Sequence, residues 1–396
     1  MSLSATVPRI AIACGGTGGH LFPGVAVGRE LQERGAAVTL FVSSKAVDRQ
    51  AVAQLPAGFD VEFLPAVGLS RGRLLVSLSA AARSWSESRR CLRARPVEAV
   101  LAMGGFTSVP VALAGRGRGV AGFLHESNTI PGRANRWLAP WVNECFVGFP
   151  EAAGRLRNSR VTVTGTPVRS GFAPQDPGLA RVALGFNAAD PVLVVIGGSQ
   201  GAEGVNRLAV AALPPLLLSH SSLQVFHVTG PRDLAWVKSA AAPFGSRVKV
   251  VAFHDALQVP LAAATVVVSR SGASSLAEFA AMRLPAVLIP FPAATDNHQR
   301  VNAEAMVKAG AARLLDQEGC LPNDLVRAVS DILFDGPVRR SLIDGMAALD
   351  TPGAAGRIAG RILAVVEARS NGATRSTAVH SQPGTLPAPR AKGGIA

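Results

Sequence analysis

Residues 14–20 read Cys-Gly-Gly-Thr-Gly-Gly-His and directly follow the apolar run Ile10–Ala13. Glycine lets a chain turn sharply and lets a ligand approach its backbone. If a helix starts there, its free N–H groups face an anion such as a phosphate. The imidazole of His20 has an unperturbed pKa of about 6.5 and so could act as a general base at neutral pH. The same side chain could equally orient or cap the loop. Two further turns repeat the pattern, "AMGGFTSVPVALA" at 102–114 and "IGGSQGAEGVNRL" at 196–208. The first turn does not fit G-x-G-x-x-G cleanly and lacks the Lys-Ser/Thr of a P-loop. One such turn is what any tight strand-to-helix connection needs. Three at corresponding strand ends point to a ligand crevice.

A fourth segment, "SRSGASSLAEFAAMRLPAVLIPFP" at 269–292, predicts a helix start near Ala273, with Glu278 in its second turn. A carboxylate there can accept hydrogen bonds from a ribose diol, or can be a dipole-favoured surface residue. "DNHQRVNAEAMVKAG" at 296–310 opens another helix with polar residues able to reach the same crevice, although Gln299 and Asn302, taken alone, read as cap or surface residues. Glu126, beside Asn128, is a second candidate base, and His125 reads as structural. The four cysteines are scattered without a CxxC pair, and no Asp-x-Asp pair of the kind that holds a metal on a sugar nucleotide is present. Reduced thiols are expected, with no metal and no cofactor.

These residues need rigid elements to bring them together. With 396 residues the chain predicts two to three domains. Strand-like runs are "RIAIAC", "AVTLFVS", "EAVLAMGG", "VAGFLHE", "ECFVGF" and "RVTVTG". After a Pro/Gly-rich stretch at 166–177 the pattern restarts with "PVLVVIGG", "LQVFHVTG", "VKVVAFH", "TVVVSRSG", "PAVLIPF" and "ARLLD". Continuous apolar strands between helical stretches mean parallel sheets covered on both faces. The expected fold is α/β: two Rossmann-like, doubly wound parallel-sheet domains facing a cleft. The first spans 1–169 and the second 170–352, with a helix at about 353–369 returning to the first. Residues 370–396 carry no acidic group and read as a disordered basic tail.

Charged residues make up 17% and hydrophobic ones 48%, which excludes a wholly disordered chain. No apolar run is long enough for a membrane span, and the first residues lack the pattern of a signal peptide. The net charge of +14 fits an anionic partner or an arginine-rich composition. Tyr is absent and aromatics are few, which argues against a nucleic-acid partner that stacks bases. In "LSRGRLLVSLSAAARSWSESRRCLRARP", Leu74, Leu75, Leu78, Ala82, Trp85 and Leu92 fall near one helical face. Arg71, Arg73, Arg83, Arg89, Arg90, Arg93 and Arg95 surround it. Such a helix can lie on an anionic bilayer or pack its Leu face on a sheet.

"GGTGGHLFPGVAV", "MGGFTSVPVALA", "HESNTIPGRANRWLAP", "GTPVR", "GGSQGA", "SRSGASSLAEFAA" and "PFPAATDNHQRVNA" occur in this order. Over about residues 8–368 the set resembles the MurG family, transferases that add N-acetylglucosamine to lipid I in peptidoglycan synthesis. The resemblance implies a two-domain GT-B fold and inverting, metal-free transfer from UDP-N-acetylglucosamine to the 4-hydroxyl of the muramoyl sugar. It implies donor contacts from Thr17, Gly18, Gly19 and Asn128, and places Arg169 and Ser199 near the domain junction and diphosphate. His254 stands where the family reads the uracil edge with main chain, more often from an Ile, so only the main-chain role carries over. Ala273, Ser274, Ser275, Leu276, Ala277 and Glu278 match the phosphate- and ribose-binding helix start, with Glu278 on the ribose. Gln299 matches a glutamine on the donor sugar. Some members have "GALTVSE" where this chain has "GASSLAE", so hydroxyl roles for Ser274 and Ser275 do not carry over. His20, or else Glu126, would be the base. The implied location is the cytoplasmic face of the cell membrane, peripherally bound to anionic lipid, with cell-wall synthesis and division proteins as partners. Two other readings stay open: a GT-B transferase with a different nucleotide sugar or acceptor, and a basic nucleotide- or nucleic-acid-binding protein without transferase activity.

Overall fold

The computed structural model describes residues 7–16, 18–53, 55, 57–65, 74–198 and 201–379. The first half contains strands β1 (Arg9–Ala13), β2 (Ala37–Ser43), β3 (Asp60–Leu64), β4 (Ala99–Ala102), β5 (Ala121–Glu126), β6 (Glu144–Val147) and β7 (Val161–Val163). Helices α1 (Gly18–Glu33), α2 (Ala46–Ala53), α3 (Leu74–Ala94), α4 (Ser108–Arg116) and α5 (Arg133–Leu138) alternate with them. All strands pair in parallel in the order β3-β2-β1-β4-β5-β6-β7, with Ile10 of β1 opposite Val38 on one side and Ala99 on the other. Parallel pairing needs a crossover between neighbours, and the helices supply it.

Residues 164–176 lead into the second half. It holds α6 (Pro177–Ala183), β8 (Val192–Ile196), α7 (Glu203–Ser219), β9 (Gln224–Val228), α8 (Leu234–Ala241), β10 (Val248–Val251) and α9 (Gln258–Ala263). There follow β11 (Val266–Ser269), α10 (Ala273–Ala281), β12 (Ala286–Leu288), α11 (His298–Lys308), β13 (Ala312–Leu314), α12 (Pro322–Phe334) and α13 (Gly336–Leu349). Its six strands are also parallel, in the order β10-β9-β8-β11-β12-β13. Every residue of β8 and β11 is buried, as central strands covered on both faces must be.

The last helix, α14 (Ala354–Val379), crosses back onto the first half. Its Ile358, Ala359, Ile362 and Val366 join Ile10, Leu21 and Leu40 in one core. Burying each large side chain contributes roughly 1.5–3 kcal/mol. Arg361 of α14 then donates through Nε and Nη2 to the buried Glu144 carboxylate at 3.0–3.2 Å, and Thr162 Oγ1 donates to Glu144 at 2.7 Å.

Three expectations change. The strand β3 was not evident in the sequence, because Asp60 and Glu62 interrupt an edge strand that is only partly buried. Helix α14 continues to Val379, past residue 370 where the tail was expected to start. A formed helix extends by one hydrogen bond per added residue, and the first proline after it is Pro383. Residues 380–396 lie outside the described residues. The expected stripe on α3 also divides. Leu92 is buried, whereas Ala82 and Trp85 are exposed, and the inward face is Ala80, Ser84 and Ser88. Small residues there let α3 lie close to its neighbour α4. The side chains of Leu74, Leu75 and Leu78, and Arg71 and Arg73 entirely, lie outside the described residues.

Candidate functional site

The two halves meet where segments following β1 and β5 face segments following β11 and β12. Gly15 shows why the first turn must be bare. A Cβ there would stand 2.3 Å from the backbone nitrogen of Ser43. Gly197, in the corresponding turn of the second half, would put a Cβ 2.4 Å from the nitrogen of Ala202. The third turn braces the first: Thr107 Oγ1 donates to the Gly15 carbonyl at 2.8 Å and Ser108 Oγ to the Ala13 carbonyl at 3.2 Å.

Helix α1 starts at Gly18 and contains Pro23. Proline has no N–H, so the carbonyl four residues earlier, that of Gly19, loses its helical donor. Ser274 Oγ, from the first turn of α10, donates to that carbonyl at 3.0 Å. A proline in one half thereby opens a docking point for a hydroxyl of the other. The hydroxyl of Ser274, for which the family resemblance gave no role, thus has one in joining the halves.

Asn302 closes the seam further along. The sequence suggested a cap or surface residue, but its side chain is wholly buried. Its Oδ1 accepts from the N–H and hydroxyl of Thr129 at 3.0 and 2.9 Å. Its Nδ2 donates to Asn128 Oδ1 and to the Ser271 carbonyl, both at 3.1 Å. At the rim, Arg136 bonds Asp296 at 2.6 Å, again between halves. Polar residues mid-helix give no periodic signal of burial, which is why Asn302 was not legible.

Within this frame His20 occupies the first turn of α1, half-buried, with its ring against the third turn. A Cβ on Gly104 would meet its Cδ2 and Nε2 at 3.0 Å. Burial lowers the pKa of His20 below its ordinary 6.5, while the charges of Glu126 and Asp48 pull it back up and His298 pushes it down. Glu126 is held differently. Its carboxylate accepts from Asn128 N–H and Nδ2, from Gly132 N–H and from Asn135 Nδ2, all at 2.8–3.0 Å. These four donors make it the organiser of the loop that carries Asn128. His125 is buried and bonded to the Gly165 carbonyl at 3.1 Å, and burial lowers its pKa to about 4.

Arg169 stacks on Phe22 of α1, with the guanidinium carbon 3.8 Å from the ring centroid. Its Nη2 donates to Glu278 Oε1 on α10 at 3.2 Å. Burial raises the pKa of Glu278, and Arg169 opposes the shift. Ala273 begins α10, whose first turn has no acidic residue. The first N–H groups of a helix have no partner within it and carry its positive dipole end. Leu276 points into the core, Ser275 and Ala277 are partly buried, and Gln299 Oε1 accepts from Phe291 N–H at 3.0 Å. His254 packs edge-on to Phe226, with ring centroids 5.6 Å apart. Gly18 and Gly19 open α1, while Thr17 and Ser199 lie outside the described residues. Among the described residues no group of three or more His, Cys, Asp and Glu side chains could hold a metal ion.

The site therefore combines helix N-termini, one arginine, a carboxylate on α10 and an imidazole across the cleft. That set can hold a nucleoside diphosphate and deprotonate a hydroxyl. Comparison with known proteins points the same way. Residues 10–147 match the glycosyltransferase family 28 N-terminal domain and residues 192–345 the family 28 C-terminal domain. A Synechococcus protein named "UDP-N-acetylglucosamine--N-acetylmuramyl-(pentapeptide) pyrophosphoryl-undecaprenol N-acetylglucosamine transferase" is 39% identical over 86% of this chain and 93% of its own. One of the same name from Anaeromyxobacter dehalogenans is 35% identical over 91% and 94%. The crystal structure of Acinetobacter baumannii MurG superposes with a TM-score of 0.69 at 23% identity, covering 90% of this chain and 99% of that one. At that identity it shares the fold.

The seam yields a test. Asn302→Ala leaves the buried N–H and hydroxyl of Thr129 without an acceptor, a loss of about 1–3 kcal/mol. Folding stability should fall by about that amount, and small-angle scattering should show a larger radius of gyration. An unchanged scattering profile would put the closure of the cleft elsewhere.

Proposed function

The chain belongs to glycosyltransferase family 28, among the N-acetylglucosaminyltransferases named above, and from that premise we propose how its cleft works. It moves N-acetylglucosamine from UDP-N-acetylglucosamine to the 4-hydroxyl of the muramoyl sugar of lipid I, giving lipid II. The observation that carries the reading is the pairing of an anion-binding helix start, α10, with an imidazole, His20, on opposite sides of one closed seam.

The α10 N-terminus and Arg169 receive the donor diphosphate, whose charge grows as the bond to the sugar breaks. Glu278 turns to the ribose, and Gln299 and Asn128 to the sugar. Gly18 and Gly19 leave room beside the reacting carbon. On the acceptor side the hydroxyl gives its proton to His20 as its oxygen bonds the anomeric carbon, and UDP leaves from the opposite face. That in-line geometry inverts the centre. Glu126, with four hydrogen bonds, positions Asn128 and leaves the base role to His20.

Lipid I is membrane-anchored, so the enzyme works at a bilayer. No helix among the described residues is long and apolar enough to cross one. The exposed face of α3 supports peripheral binding on the cytoplasmic side: Arg83, Arg90 and Arg93 are exposed, and Arg89 lies 4.7 Å over the exposed Trp85. Cationic side chains beside an aromatic ring suit an anionic headgroup layer. Cell-wall synthesis and division proteins are the neighbours this location implies.

Transfer from UDP-N-acetylglucosamine to a lipid I analogue, with UDP-glucose and UDP-N-acetylgalactosamine as controls, tests the activity; equal use of all three donors would sink the specificity. His20→Ala should lower kcat by about 10²–10⁴-fold with little change in donor KM. The base must be neutral to act, and burial lowers its pKa. The acidic limb of kcat/KM should therefore lie below pH 6.5 and vanish in the variant. A limb that survives His20→Ala assigns the proton to another group.

Replacing Arg83, Arg89, Arg90 and Arg93 with Gln should release the protein from anionic vesicles at low salt, at about 1 kcal/mol per charge. Turnover of a soluble short-chain acceptor should be spared. Undiminished vesicle binding would move the membrane contact off α3.

A further inference from the structure

Asp48, in the first turn of α2, is 1% exposed. Its Oδ2 accepts the N–H of Gly16 at 2.7 Å, the N–H of Ser43 at 3.3 Å and the Ser43 hydroxyl. Its Oδ1 is equally buried, and among the described residues no hydrogen bond reaches it. No Lys or Arg pairs with it among those residues either. A carboxylate buried without a cation is costly to keep. It sits beneath the turn that must be bare, since Ser43, which it grips, is the residue a Cβ on Gly15 would strike. Its negative charge reaches both sides of that turn: it raises the pKa of the buried Cys14 thiol and favours the protonated form of His20.

We propose that Asp48 is a positioning residue for the transfer step. It fixes the Gly15–Gly16 turn from below, and its buried charge, together with that of Glu126, stabilises the imidazolium that His20 becomes on taking the acceptor's proton. The inference rests on His20 being the base. Proton balance is simple: the acceptor O–H breaks, the proton moves to His20, the oxygen bonds the anomeric carbon, and UDP departs with the electrons of the broken bond. His20 later returns the proton to solvent. The other charged or titratable groups facing His20 are Glu126 at the end of β5 and His298 at the start of α11. Of the two carboxylates Glu126 exerts the larger pull on His20 and Asp48 adds to it. Glu126 is held by four donors from its own loop, whereas Asp48 also grips the glycine turn that precedes His20.

The variant to make is Asp48→Asn in the full chain, which keeps an acceptor for Gly16 and removes the charge. The acidic limb of kcat/KM for transfer to a lipid I analogue should move to lower pH by about one unit. The sign follows because removing a negative charge disfavours the imidazolium. At neutral pH kcat should fall about tenfold, with the KM for UDP-N-acetylglucosamine little changed. Asp48→Glu, which retains the charge, should restore the position of the limb. A scaffold role alone would lower thermal stability and all kinetic constants together, with the limb unmoved in Asp48→Asn, and that result overturns the proposal. If the limb persists in His20→Ala, the base assignment fails first and the two failures are distinguished. Should Asp48→Asn not fold, Asp48→Ser decides, read against the wild-type protein by NMR titration of the His20 ring. The ring should titrate at lower pH in the variant, and an unmoved titration overturns the proposal.

Discussion

Backbone has to meet backbone at the ends of β1 and β8, and no side chain fits between. A Cβ on Gly15 would lie 2.7 Å from Val42 Cα as well as against Ser43, and one on Gly197 would strike Ala202. This constraint sets how closely a ligand can approach each sheet edge. It also sets where α1 begins, and hence where His20 stands. The bare turns lead directly into helix starts, whose partial positive charge favours an anion; at the first of them the Gly16 N–H is already taken by Asp48.

The second requirement is that the two edges hold a fixed relation. Isolated α/β halves would leave His20 and the start of α10 at unrelated distances. The seam is polar and local: a carbonyl freed by Pro23, the amide of Asn302 and the guanidinium of Arg169 spanning Phe22 and Glu278. Each is a hydrogen-bonded or stacked contact rather than a packed apolar face. Such contacts can break and re-form when substrate enters at modest cost, because water can replace each partner. Arg169 has the central place, since it stacks on the first half and pairs with the second.

The sheets were legible because parallel strands are apolar throughout. Twelve of the thirteen stand out as runs such as "VLVVI", and the glycine turns mark their carboxyl ends. The exception, β3, carries two acidic residues at an exposed edge. His20 and Glu278 were legible as chemistry and Arg169 only through the family resemblance, but not their arrangement: nothing in the spacing of Arg169 and Glu278, 109 residues apart, says that they pair. The burial of Asn302 and the whole role of Asp48 were missed for one reason. A buried polar residue looks like a surface one until its partners are known, and those partners come from remote segments. Glu126 looked like a base because carboxylates can be one. What could not be read is that it accepts four hydrogen bonds, three from backbone or amide groups within six residues and one from Asn135, and so holds the loop of Asn128. On α3 the arginine excess was visible, but the inward face of Ala80, Ser84 and Ser88 was not, because small residues carry little hydropathy signal.

On the proposed reading, the charge of the departing diphosphate falls on helix N-termini and Arg169. The most direct measurement is the rate of sugar transfer to a lipid I analogue in excess chelator. If backbone dipoles and one guanidinium carry that charge, the rate is the same with and without chelator. Loss of turnover in chelator, restored by magnesium or manganese, would contradict the account.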